Sequence, residues 1–216
     1  MDDFAFPREL PVFPLTGALL LPGGQLPLNI FEPRYLTMID AALGAGRWLG
    51  MVQPRDTRAQ TVGDDHALFE IGCLGRIASF SESADGRYLI SLNGVCRFTI
   101  LSELGLRDGY RSVVPDFQPF NNDLETESLE PEERKTLNDA LRRYFDGNSY
   151  EADWQALEQT ADDTLVASMA MACPFTPAEK QALLESPDLA ARARSLVAVL
   201  DMAAHGATSN LDQSRH

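Results

Sequence analysis

The chain has 216 residues, 44% of them hydrophobic and 23% charged, which is enough apolar material for one large domain or two small ones. Its 32 acidic residues against 18 Lys and Arg leave a formal charge of −14, and no Lys/Arg run interrupts that field. Such a surface repels phosphate backbones and anionic lipid, which argues against nucleic acid and membrane surfaces as partners.

Cys73, Cys96 and Cys173 stand at long spacings with no CxxC pair, so buried thiols are expected rather than a disulfide framework or a zinc site. The opening MDDFAFPREL is acidic and broken by Pro7, unlike a signal peptide. The most apolar window, residues 12–30, contains Pro14, Pro22, Gly23, Gly24 and Pro27 and cannot be a continuous membrane-spanning helix. A cytoplasmic location is the expectation.

Residues 10–15 read as a short extended run, PGG at 22–24 as a turn, and residues 25–31 as a second strand. In 33–43, Tyr35, Leu36, Ile39, Ala42 and Leu43 recur at helical spacing and predict one helix inserted among strands. Residues 48–53 and 67–80 are strand-like. Gly72 and Gly75 within FEIGCLGRIASF predict a bulge or sharp bend there. The Asp-Gly turn of ADGR at 84–87 then leads into YLISLNGVCRFTIL, which predicts a β-hairpin. Residues 110–117 give the last strand, with Pro115 at an edge or strand end. Many short strands with Gly/Pro punctuation predict a small barrel or sandwich.

The character changes near Asn121, where NNDLETESLEPEER reads as a polar, acidic linker. A helix follows from Pro131 over 132–145, with Leu137, Leu141 and Tyr144/Phe145 on one face and Gly147 as its stop. Trp154 and Leu157 anchor a short piece, and 164–173 is apolar nearly all round, so it should be the buried helix, ending before Pro174. TPAE at 176–179 has the form of a capping box between Thr176 and Glu179. The last helix starts after Ser186-Pro187-Asp188, runs to about Ala204 and turns Leu189, Ala193, Leu196, Val197 and Leu200 inward. The expected organisation is α+β: a β-barrel subdomain over 1–121 and a helical subdomain over 122–216 with a flexible C-terminal tail.

Reactive constellations are scarce. No phosphate loop, G-x-S-x-G elbow, H-E-x-x-H pair or Rossmann glycine pattern occurs. The three histidines are His66, His205 and His216, and the last two lie in the expected tail. Asp64-Asp65-His66 is the best local candidate for a site, but a polar turn between strands explains it as well. Asp162-Asp163 could suggest a metal carboxylate pair, although acids at a helix start read first as complementing the helix dipole. Lys135 and Lys180 fall on predicted helix surfaces, away from any glycine-flanked serine, so no Ser-Lys dyad is indicated. No catalytic residue, cofactor or metal site is expected.

The residues do carry a resemblance. LPVFPLTGALLLPGGQLPLNIFEPRYLTMI at 10–39 resembles the opening of the Lon N-terminal (substrate-binding) domain family, and the likeness continues in IGCLGRIASF, the hairpin DGRYLISLNGVCRFTIL at 85–101 and AEKQALLESPDLAARARSLVAVL. It covers roughly residues 8–203. It implies a six-stranded PUA-like β pseudo-barrel followed by a helical bundle, in a stand-alone Lon-domain protein without the ATPase and protease domains. It also implies a non-enzymatic module that engages exposed apolar segments of unfolded or partly folded proteins, with a protease or chaperone as a further partner. An adaptor or structural subunit docked on a larger machine is the alternative, and an enzyme of unrecognised type a more remote one.

Candidate binding residues are Leu19, Leu20, Leu21, Phe31, Arg34 and Tyr35. Three consecutive leucines beside PGG either line an apolar groove or cap the barrel end as core. Glu32-Pro33-Arg34 reads chiefly as the corner where strand becomes helix. There Pro33 takes the first helical position, Glu32 accepts from the free amides, and Arg34 clamps Glu32 or a more distant acid. Oligomeric state is open.

Overall fold

In a computed structural model, the structure describes residues 6–56 and 66–213, with side chains to residue 204. The chain divides into two compact units, Met1–Glu125 and Thr126–His216.

The first unit contains β1 (Leu10–Pro14), β2 (Gln25–Ile30), α1 (Pro33–Gly44), β3 (Trp48–Val52), β4 (Ile71–Glu82), β5 (Tyr88–Glu103) and β6 (Arg111–Asp116). The strands follow the order β2-β5-β4-β3-β1-β6, and β6 also pairs with β5. Five strands therefore close into a barrel, and β2 extends it from the far side of β5. β1 and β3 run parallel, Val12 opposite Gly50, with α1 in the connection between them. The other ladders are antiparallel.

Alternation along β1 sends Leu10 and Val12 inward, where they meet Trp48, Val52, Leu74, Phe98 and Val113. Phe98 fills the centre because the strands around it have glycine there. A Cβ on Gly72 would lie 2.7 Å from its ring, and one on Gly50 3.0 Å. Gly72 is thus a packing glycine. The irregularities predicted in this strand fall between Leu74 and Gly75 and between Ile77 and Ser79.

The ADGR hairpin forms as predicted. A second Asp-Gly turn, not singled out in the sequence, joins β5 to β6: Asp108 and Gly109 have φ of 50° and 84°, and the backbones of Arg107 and Tyr110 exchange hydrogen bonds at 3.0 Å. Where the polar linker was expected to begin, residues Gln118–Leu124 instead form a 3-10 helix. Its hold is chemical. Asp123 accepts from the Arg97 backbone at 2.8 Å and from the Arg97 guanidinium at 2.7 and 2.9 Å, and both side chains are nearly fully buried. The same guanidinium lies 4.6 Å from the centre of the Phe120 ring.

The second unit contains α2 (Pro131–Asn148), α3 (Trp154–Gln159), α4 (Asp162–Ala172), α5 (Pro177–Glu185) and α6 (Leu189–Gln213). Gly147 lies inside α2. The helix ends at Ser149, which takes the left-handed conformation with φ 56°. The backbone of α6 continues past Ala204 to Gln213. Leu137, Leu141 and Tyr144 of α2 are buried, as are Leu165 and Val166 of α4 and Leu196 and Leu200 of α6. On α6 the core position is Val199, while Val197 is half-buried. The Thr176–Glu179 capping box is present, with Glu179 accepting from the Thr176 amide at 2.7 Å. Asp162 and Asp163 stand in the first turn of α4, as expected of acids at a helix start, and Asp162 has a second role. It accepts from the Leu129 amide at 2.8 Å and pairs with Arg134, which also donates to the Leu157 carbonyl at 2.7 Å.

Candidate protein-binding surface

The six candidate residues separate into two groups. Leu19, Leu20 and Leu21 are at most 3% exposed and offer no surface to a ligand, so of the two readings open to them they are core at the barrel end, and they leave the set of candidate binding residues. The reason lies far off in the sequence. A Cβ on Gly75 would lie 2.9 Å from Leu20 Cδ2, and one on Gly94 2.0 Å from the Leu21 carbonyl oxygen. Two glycines, on β4 and β5, form the seat into which the leucine loop is pressed.

Tyr35 is also buried, its ring edge-on to Phe13 at 4.4 Å. Glu32 makes no capping bond to α1; its carboxylate accepts from Arg34 Nε at 3.0 Å. The Arg34 guanidinium then stacks 4.6 Å from the Tyr35 ring centre. These contacts hold the corner between β2 and α1.

Phe31 is different, with 62% of its surface exposed. The register of β2 on β5 sets Asn29 opposite Leu89, so Leu89 and Phe31 share the outward face of that ladder. Leu89 is 47% exposed, and the Arg87 guanidinium lies 5.8 Å from the Phe31 ring centre. On the opposite face, Phe80 of β4 packs edge-on against Tyr88 at 4.9 Å and is 40% exposed. The Asp40 carboxylate of α1 lies near enough to the Tyr88 phenol to raise that group's pKa. Exposed apolar side chains thus flank the β4–β5 hairpin on both faces. Sequence reading picked out Phe31 and missed Leu89 and Phe80. The signal available was their place in a hairpin longer than the neighbouring strands.

Elsewhere on this unit a cleft of about 290 Å³ opens between Ala42 and Ala45 at the end of α1, Pro11, Trp48, and the turn residues Arg107 and Tyr110. Burial pushes the Cys96 thiol up to about 12 and the Cys173 thiol up to about 11, so neither is a ready nucleophile near neutral pH. The His66 carbonyl accepts from Arg111 Nη1 at 2.6 Å, which makes this position an anchor for the backbone. Asp64, Asp65 and His216 lie outside the described residues, as does the side chain of His205. Among the described residues no three His, Cys, Asp or Glu gather as a metal site would require, and no helix is long and apolar enough to cross a membrane.

With this geometry in place, comparison with known proteins is specific. The family model for the ATP-dependent protease La (LON) substrate-binding domain matches residues 9–202. Lon protease 1 of Bdellovibrio bacteriovorus is 25% identical over 192 residues, covering 87% of this chain and 24% of that protein. Lon protease 2 of Myxococcus xanthus is 25% identical over 199 residues, covering 90% and 24%. The chain therefore spans about a quarter of the length of these relatives. Among solved structures, a Lon N-terminal domain protein from Xanthomonas campestris superposes with a TM-score of 0.64 at 22% identity, covering 88% of this chain and 97% of that one. The N-terminal domain of the Mycobacterium avium complex Lon protease gives 0.65 at 20% identity, covering 90% and 98%. The α+β fold of strands followed by helices is shared with both, and by the match over residues 9–202 the chain belongs to the LON substrate-binding domain family.

Proposed function

We propose that this chain is a non-catalytic protein-recognition module that engages exposed apolar segments of client proteins. The observation that carries the reading is the outward face of β2 and β5, where Phe31 and Leu89 stay exposed although Leu19, Leu20 and Leu21, close by in the sequence, are fully buried. Exposed aromatic and aliphatic side chains on a well-packed domain are energetically idle until a partner covers them. Membership in a substrate-binding domain family supports the same reading. The strong acidity of the chain favours clients with apolar segments flanked by basic residues over acidic ones.

Burying a large apolar side chain contributes about 1.5–3 kcal/mol. Phe31→Ser with Leu89→Ser is therefore expected to weaken binding of an unfolded polypeptide by about tenfold or more, with Tm unchanged because neither side chain is core. Fluorescence anisotropy with a labelled, permanently unfolded protein reads the affinity. Equal affinity in the double variant would remove this face from the account.

A further inference from the structure

Among the described residues two strand edges in the barrel unit lack a neighbour, and they are built differently. β2 pairs with β5 alone. Gly94 donates to the Gly24 carbonyl at 2.8 Å, which sets the alternation of that ladder. Leu26, Leu28 and Ile30 turn their backbone groups toward β5, while Gln25, Pro27 and Asn29 turn theirs away. Pro27 thus sits where its missing N–H costs the sheet nothing and where it interrupts any further strand.

The other edge is the outer half of β4. β3 covers β4 from Cys73 to Arg76, and the Arg47 carbonyl then takes the Ile77 N–H at 2.9 Å. Beyond that point β4 pairs only with β5, as far as Glu82 opposite Tyr88. At the turn Ser83 donates to the Arg87 carbonyl at 2.9 Å. Counting back from that bonded pair, Ser81 and Ser79 face β5, whereas Phe80 and Glu82 direct both N–H and C=O outward. Among the described residues these four groups have no partner. Residues 78–82 are exposed throughout and contain no Pro, Lys or Arg; the β-bulge between Ile77 and Ser79 guards the start of this edge, and Phe80 to Glu82 lie beyond it.

We infer that the free edge of β4 at residues 78–82 accepts an extended segment of an unfolded client as an added strand, an inference that rests on the protein-recognition reading above. A strand edge selects main chain, which every unfolded client presents, so recognition of this kind tolerates varied sequences. Side chains then set preference. Phe80 lies beside one face of the added strand and the small Ser79 and Ser81 beside the other, which favours segments of alternating apolar character. Glu82 makes no ion pair among the described residues, and in a chain of charge −14 it favours a Lys or Arg in the position opposite. The occupant is thus an extended apolar segment carrying basic residues.

The test uses the full chain with reduced, carboxymethylated lysozyme as the unfolded probe. Residue-resolved amide exchange by NMR is expected to slow by about tenfold or more at Phe80 and Glu82 when the probe is present, and to change little at Ser79 and Ser81, whose N–H groups are already bonded. Glu82→Pro removes one outward N–H and leaves the β5 ladder intact; it is expected to weaken probe binding about fivefold with Tm unchanged. Glu82→Gln, which keeps that N–H, is expected to lose about twofold at most. If Glu82→Pro fails to fold, exchange in the unsubstituted chain still decides. Unchanged exchange at Phe80 and Glu82 while the probe binds, with Phe31→Ser still weakening it, overturns the edge proposal and leaves protein recognition standing. A probe that does not bind overturns both. Slowing that appears without probe and grows with protein concentration assigns the edge to a second copy of the chain, which also overturns the proposal.

Discussion

In the barrel unit four glycines sit where an added Cβ would clash: Gly50 and Gly72 around the Phe98 ring, Gly75 and Gly94 beneath the leucine loop. In the helical unit a Cβ on Gly147 would meet nothing closer than the Ala204 carbonyl oxygen, at a loose 4.0 Å. That unit is held by side chains reaching between elements. Arg134 joins α2 to Asp162 and to the carbonyl of Leu157, Glu127 accepts from the Leu189 amide at 2.9 Å, and capping boxes start α2 and α5. The two constructions fail differently. A close backbone approach has no slack, so one added methyl group is felt in full. A network of polar ties loses one member at a time.

Gly94→Ala breaks the comparison most sharply. Its Cβ would meet a backbone carbonyl, which cannot rotate aside as a side chain can. A loss of about 3 kcal/mol or more is expected, read as a lowered urea midpoint or failure to fold. Arg97→Ala comes next, because it leaves the Asp123 carboxylate buried without its guanidinium. Removing one partner of such a pair costs about 3–5 kcal/mol, and here the 3-10 helix should lose amide-exchange protection first. Thr176→Ala, in the helical unit, removes only one capping oxygen and is expected to cost about 1 kcal/mol, with Thr176→Asp restoring most of it. An alanine at 94 that proves as mild as one at 176 would erase the distinction between the two constructions.

What could be read in the sequence follows the same division. Strands, the ADGR hairpin, the helix after Pro33 and the Thr176 capping box all rest on local periods and turn chemistry, and all are present. The leucine loop rests on glycines more than 50 residues away, so nothing local could decide between groove and core. The 3-10 helix was hidden in a polar stretch because its anchor is Arg97, on a strand 26 residues earlier. Gly147 remained inside α2 because the left-handed residue that ends the helix is Ser149. Among the candidate binding residues, Tyr35 and Phe31 are both aromatic and four residues apart, yet one is buried against Phe13 and the other exposed. Chain position alone does not separate them; the register of β2 on β5 does.

The central claim is that client recognition belongs to the barrel unit, at the β4–β5 hairpin and the adjoining face of β2. Hydrogen exchange by mass spectrometry over the whole chain, with and without an unfolded polypeptide, tests it most directly. The account predicts added protection in peptides covering residues 25–31 and 78–91 and none across α2 to α6. Protection confined to the helical unit would contradict it.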